Sequence, residues 1–161
     1  MKRILVFSDT HNNISLCTEI IEKIPADIII HAGDYVSDAQ KLKKLYPDKR
    51  IEYVKGNGDM FSYASDNIVV ELDGIRIFVT HGHNERVKTD PELKKLVSAA
   101  KSNNCTVAVF GHTHMGLEKE TDGIKLLNPG SSNYGRCYGV IEIEDGKAST
   151  AVIGDSTFIM S

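Results

Sequence analysis

Five short apolar runs each break off into a polar knot, and this pattern constrains the fold more than any other feature of the chain. The runs cover residues 3–8, 27–30, 50–54, 75–80 and 106–110. The knots that follow them are Asp9-Thr10-His11, Gly33-Asp34, Gly56-Asn57-Gly58-Asp59, His81-Gly82-His83 and Gly111-His112-Thr113-His114. A sixth, Asn128-Pro129-Gly130-Ser131, lies further on. Apolar runs without polar alternation belong to strands covered on both faces. Between the first two runs, Ile14, Leu16, Cys17, Ile20, Ile21 and Ile24 recur at helical spacing until Pro25. Ser37-Asp38 can cap a second helix reaching Tyr46, which Pro47 ends. The first third therefore reads β-α-β-α-β, a parallel sheet whose sites lie beyond the carboxyl ends of its strands. Asp9, Asp34 and Asn57 all fall there.

The pattern then changes. Asp73-Gly74, Asp122-Gly123 and Asp145-Gly146 each separate two strand-like runs, 67–72 with 75–80, 117–120 with 124–127, and 138–143 with 148–153. Such dipeptides favour the positive φ of tight hairpins. Residues 91–101 read as a helix with Leu93, Leu96 and Val97 inward. A chain that starts parallel and finishes antiparallel predicts an α/β (α+β) fold, with two mixed sheets in one domain over residues 1–161.

Composition bounds the function. A length of 161 residues supports one well-buried core, and 41% apolar with 25% charged residues is ordinary for a globular domain. No apolar run approaches the roughly 18 residues of a membrane span. Met1-Lys2-Arg3 is basic, but only four apolar residues follow, short of the roughly 7–15 of a signal-peptide core. The expected location is the cytoplasm. Cys17, Cys105 and Cys137 have no paired or zinc-like spacing and read as reduced core residues. A net charge of −3 offers no field for a polynucleotide backbone and weighs against nucleic acid as a partner. Lys41, Lys43 and Lys44 read as the solvated face of a helix.

Taken singly, most knots are ordinary turn chemistry. Taken together, five of six histidines lie within them, alongside two carboxylates and an amide. Imidazole and carboxylate donors without thiolate suit Mn²⁺, Fe²⁺, Co²⁺, Ni²⁺ or Zn²⁺ better than Mg²⁺ or Ca²⁺.

The ordered set resembles the calcineurin-like metallophosphoesterases, whose pattern is DxH, GD, GN, H and GHxH, and within them the small YfcE-type phosphodiesterases. The resemblance implies a four-layer sandwich, two mixed β-sheets packed face to face with α-helices outside. It implies two divalent transition-metal ions, manganese foremost. One would be held by Asp9, His11, Asp34 and His114, the other by Asp34, Asn57, His81 and His112, with Asp34 bridging. It also implies hydrolysis of a small phosphodiester by a hydroxide that bridges the metals. Two divalent ions, two carboxylates and one hydroxide leave about one positive charge to attract a phosphate ester.

One position departs from the wider superfamily, where a histidine often follows the motif asparagine. Here that residue is Gly58. Asp34, Asn57 and His83 are the residues expected to act in catalysis, His83 as a phosphate contact or as the missing acid, although a supporting role beside the ligands stays open. Asp59 is read either as a hydrogen-bond partner of a ligating histidine or as a cap. His31 is read as a packing residue that orients Asp34, Asn12 as a phosphate contact, and Arg136 as a surface residue. Met60, Phe61 and Tyr63 would line either the site mouth or a homo-oligomer face. The alternative functions are a phosphomonoesterase or nucleotidase with the same metals, and a protein-binding scaffold of the retromer-subunit type.

Overall fold

The computed structural model describes residues 1–160. Strands β1 (Lys2–Phe7), β2 (Ile28–His31) and β3 (Ile51–Tyr53) run parallel. The hairpin of β9 (Tyr138–Glu144) and β10 (Lys147–Ile153) joins antiparallel beside β1, giving the order β10-β9-β1-β2-β3. In the second sheet, β5 (Ile75–Thr80), β6 (Val107–Val109) and β8 (Ile124–Asn128) are parallel. Antiparallel strands β4 (Asn67–Leu72) and β7 (Leu117–Thr121) form its edges. This is the expected pair of mixed sheets, five strands in each.

The continuous apolar runs have a simple physical origin. Successive strand residues point to opposite faces, and here both faces are covered. Ile4, Val6, Ile28 and Ile30 meet Ile77, Val79, Val107 and Val109 in a layer between the sheets. Leu5, Phe7 and Ile29 point the other way, onto Leu16, Cys17, Ile20 and Ile21 of α1 (Ser15–Lys23) and Leu42 of α2 (Val36–Leu45). Phe78, Ala108 and Phe110 pack on Leu96, Val97 and Ala100 of α3 (Lys94–Ser102). The layers are thus helix pair, sheet, sheet, helix. Cys17, Cys105 and Cys137 are buried and unpaired. No helix among the described residues is long and apolar enough to cross a membrane.

Two helix starts differ from expectation. Asp38 lies inside the first turn of α2 rather than capping it. Its buried carboxylate reaches back to Thr10 Oγ1 and the Asn12 amide, and these tertiary partners displace the local cap. Helix α3 begins at Lys94 rather than Pro91. Asp90 accepts from the Glu92 and Lys94 amides, and Leu93 takes a left-handed φ of 54°, so the preceding residues form a turn.

Ile30 is fully buried between the sheets. Ile30→Ala should lower the unfolding free energy by about 2–5 kcal/mol. Val69→Ala, on the exposed face of edge strand β4, should stay within about 0.5 kcal/mol. Urea titration of both variants tests the layer assignment, and equal losses would refute it.

Candidate metal centre

Every polar knot sits at the carboxyl end of a parallel strand: β1, β2 and β3 in one sheet, β5, β6 and β8 in the other. Facing sheets bring the six loops to one edge. The turns are tight. Asp9, His11, Asp34, His112 and His114 all have positive φ, between 44° and 73°. For non-glycine residues this costs roughly 1–3 kcal/mol each, least for Asp, Asn and His. Two glycines permit the close approach. A Cβ on Gly56 would lie 2.1 Å from Asp34 Oδ1, and one on Gly111 would lie 2.1 Å from Ser8 Oγ and 2.7 Å from Asp9 Oδ2.

Asp9 is at the centre. Its Oδ2 accepts from Ser8 Oγ at 2.6 Å and from the His112 amide at 3.1 Å. Its Oδ1 is buried without a hydrogen-bond donor. Three imidazole nitrogens face that oxygen: His114 Nε2 at 3.3 Å, His11 Nε2 at 3.7 Å and His81 Nε2 at 3.8 Å. The ring of His81 is oriented by its far side, where Nδ1 donates to Ala32 O at 2.7 Å. On the near side Nε2 lies 3.1 Å from Asn57 Oδ1 and 3.5 Å from Asp34 Oδ2, and in the neutral tautomer it brings a lone pair to face these oxygens. Lone pairs converging in this way repel unless a cation lies among them. Among the described residues, Asp9 and Asp34 pair with histidines alone and with no lysine or arginine.

Two sets of donors are close enough to share an ion: Asp9 with His11 and His114, and Asp9 with Asp34 and His81. Asn57 adjoins the second through His81. His112 lies beside it, its ring centroid 5.1 Å from that of His81. Asp9 belongs to both sets, whereas Asp34 belongs to one. Burial pushes the Asp9 carboxyl up, but His11, His114, His81 and Ser8 outweigh this and hold it well below the usual carboxylate range. The neighbouring Asp9 carboxylate raises the pKa of His11. Burial, with His81 and Lys88 nearby, brings His112 down to about 4, so its ring is neutral and has a lone pair to give.

A second layer of bonds fixes these loops. Gly33 N–H donates to His31 Nδ1, so Nε2 carries the ring hydrogen and donates to Thr10 Oγ1 at 2.9 Å. Thr10 in turn donates to Asp38 Oδ2 at 2.5 Å. Asn128 donates to Gly111 O and Thr113 Oγ1 and accepts from the Gly130 amide. Ser131 Oγ donates to Asp9 O at 2.8 Å. The sixth knot is therefore a buttress of the first and fifth. Thr10 and Ser131 carried no periodic or spacing signal that could have marked them for this role.

The other residues fall as follows. Asp59 bonds no histidine. It accepts from the amides of Asp34, Val36 and Gly56, so the cap reading holds and extends to two loops. His83 lies at the edge, 5.6 Å from His81 and 6.2 Å from His112 between ring centroids. Its Nδ1 is buried without a partner, and burial followed by His81 lowers its pKa. His31 packs and anchors Gly33, next to Asp34. The Asn12 side chain is exposed, and Arg136 pairs with Glu19 at 2.6 Å on the surface. Tyr35 stands edge-on to His11, and Tyr134 stacks on His114.

Residues 1–146 match the calcineurin-like phosphoesterase superfamily domain. A probable metallophosphoesterase of Mycoplasma pneumoniae is 34% identical, with 81% of this chain and 79% of that one aligned. A phosphodiesterase of Methanocaldococcus jannaschii is 30% identical over 80% of this chain and 82% of its own length. A Streptococcus pneumoniae structure described as a predicted phosphoesterase superposes with a TM-score of 0.80 at 26% identity, covering 95% and 89% of the two chains.

The His31 network carries a pH signature. Burial lowers the His31 pKa from 6.5 to about 4. Between those values the unfolded chain binds a proton that the native state refuses. Stability is therefore complete above pH 6.5 and falls by about 3 kcal/mol as pH drops through 4. Urea unfolding of metal-free protein should show a shallower pH dependence in this window for His31→Gln than for the wild type. Equal slopes would refute the neutral, buried assignment.

Proposed function

The chain belongs to the calcineurin-like phosphoesterase superfamily, and from that premise we propose that it is a metal-dependent phosphodiesterase acting on a small diester. One observation carries the reading: the buried Asp9 Oδ1, without a donor, faced by three imidazole nitrogens within 3.8 Å. This donor set fits divalent transition metals, with manganese foremost among Mn²⁺, Ni²⁺, Co²⁺, Fe²⁺ and Zn²⁺. We assign Asp9, His11, Asp34 and His114 to one ion, and Asp34, Asn57, His81 and His112 to the other. The position of Asp9 in both donor sets makes it a second carboxylate able to serve both ions. Bound divalent ions would polarise phosphoryl oxygens and lower the pKa of water.

The chain's own residues define the rest of the reaction. The hydroxyls beside the carboxylates are committed, Ser8 to Asp9 and Thr10 to Asp38, and both residues are fully buried. Neither hydroxyl is free to attack phosphorus, which supports water as the attacking group, with no covalent enzyme intermediate. The Gly58 amide donates to Asp34 Oδ1 at 3.0 Å and fixes that carboxylate, as the Ala32 carbonyl fixes His81. His83, held neutral by burial, is assigned to a hydrogen bond with the phosphate. No imidazole can act from Gly58 to protonate a departing alkoxide. Three buried thiols without disulfides support a reducing compartment, the cytoplasm.

Chelation followed by dialysis should abolish hydrolysis of bis(p-nitrophenyl) phosphate, and Mn²⁺ should restore it. Asn57→Ala should bind about one ion where the wild type binds about two, as read by elemental analysis; full occupancy with full activity would refute the assignment. Without general acid help, usually worth about 10²–10⁴-fold, aryl phosphodiesters should turn over at least about a hundredfold faster than alkyl ones. Comparable rates across a leaving-group series would contradict the role given to Gly58.

A further inference from the structure

A cavity of about 640 Å³ opens beside the metal centre. Its lining includes Tyr35, Tyr53, Met60, Phe61, Tyr63 and Gln40. We propose that this cavity binds a planar aromatic ester arm of the substrate, an aryl group or a nucleobase. The proposal rests on the phosphodiesterase reading and names the substrate class for that same site.

Three observations carry it. The first is continuity. Gly58 lines the cavity, and its amide bonds the Asp34 carboxylate, so the wall of the cavity is also a wall of the centre. Tyr35 borders the two: its ring stands edge-on to His11, and the residue lines the cavity. A Cβ at Gly58 would lie 2.9 Å from Tyr35 Cε1. The same position lies 3.1 Å from Asp34 Oδ1, so the missing side chain lets the cavity wall pack directly against both the ring and the carboxylate.

The second is chemistry. Aromatic rings and a thioether line the space, and both favour flat π-systems. The lining has no lysine, arginine or histidine, so nothing there would hold a second phosphate. Asp59, its only acid, already accepts three backbone hydrogen bonds. The Gln40 amide can both donate and accept, which suits the edge of a base.

The third is exposure. Met60, Phe61 and Tyr63 are 73%, 92% and 106% exposed. Three large apolar exposures within four residues of one short loop are costly in water, and an aromatic arm seated in the cavity would cover them. The volume lies within the roughly 300–1,000 Å³ of small-molecule sites.

The test uses full-length protein labelled at the methionine methyls. In metal-free protein, diphenyl phosphate should shift the Met60 methyl resonance saturably, and dimethyl phosphate should not. Titration with the dinucleotide TpT separates the two sources: tighter saturation than diphenyl phosphate identifies a nucleoside arm, weaker saturation a simple aryl arm. Phe61→Ala and Tyr63→Ala should each weaken diphenyl phosphate binding about tenfold, the size of one base–aromatic stack. In the Mn²⁺-loaded enzyme they should raise KM for bis(p-nitrophenyl) phosphate by a similar factor, with kcat changed less than about twofold, and Phe61→Tyr should restore it. An unmoved Met60 resonance, or wild-type binding in both alanine variants, would overturn the proposal. Absence of turnover with any metal would overturn the phosphodiesterase reading instead, and the metal-free titration would still decide the cavity.

Discussion

Two carboxylates buried at a sheet edge without a basic side chain to neutralise them set the terms for the rest of this structure. An isolated buried charge is expensive, and Asp9 is fully inaccessible to solvent. Imidazoles gather around it instead of lysine or arginine, with ring nitrogens rather than ammonium groups facing its oxygens. Such an arrangement leaves positive charge to be supplied from outside the chain. The left-handed residues of the loops, and glycines where a Cβ would strike Asp34 or Asp9, are the backbone cost of that convergence.

The surrounding network explains how strained loops keep their shape. Thr10 joins His31 to Asp38, which ties the β1 loop to β2 and to α2. Asp59 gathers three amides from the β2 and β3 loops. Asn128 and Ser131 hold the β6 and β1 loops from the second sheet. These polar groups are buried or half-buried and bonded to neighbouring loops rather than to water, which makes the arrangement rigid. Rigid donors suit the pair of ions proposed for this centre. The cavity beside them is walled in part by an exposed loop.

Much of the architecture was legible because the signals were local. The Asp-Gly turns fixed three hairpins, and β4 and β5 have the bounds the sequence predicts. Helix α1 follows its apolar spacing closely. The failures have a common cause. Asp38 looked like a cap because Ser-Asp caps helices in isolation, yet Thr10, far away in sequence, competes for its carboxylate. Asp59 looked equally suited to a histidine or to backbone amides, and the choice depended on how the β2 loop approached.

By itself the sequence determined which residues could ligate metal and that each would stand at a strand end, since periodicity and turn chemistry act over a few residues. Tertiary structure alone decided that Asp9 Oδ1 is the oxygen left without a donor, and that Tyr35 borders both the centre and the cavity. Those outcomes depend on packing between segments up to about a hundred residues apart, such as Asp9 with His112. No local pattern encodes the distance between two loops; it is set when the apolar faces of the sheets close on one another and exclude water.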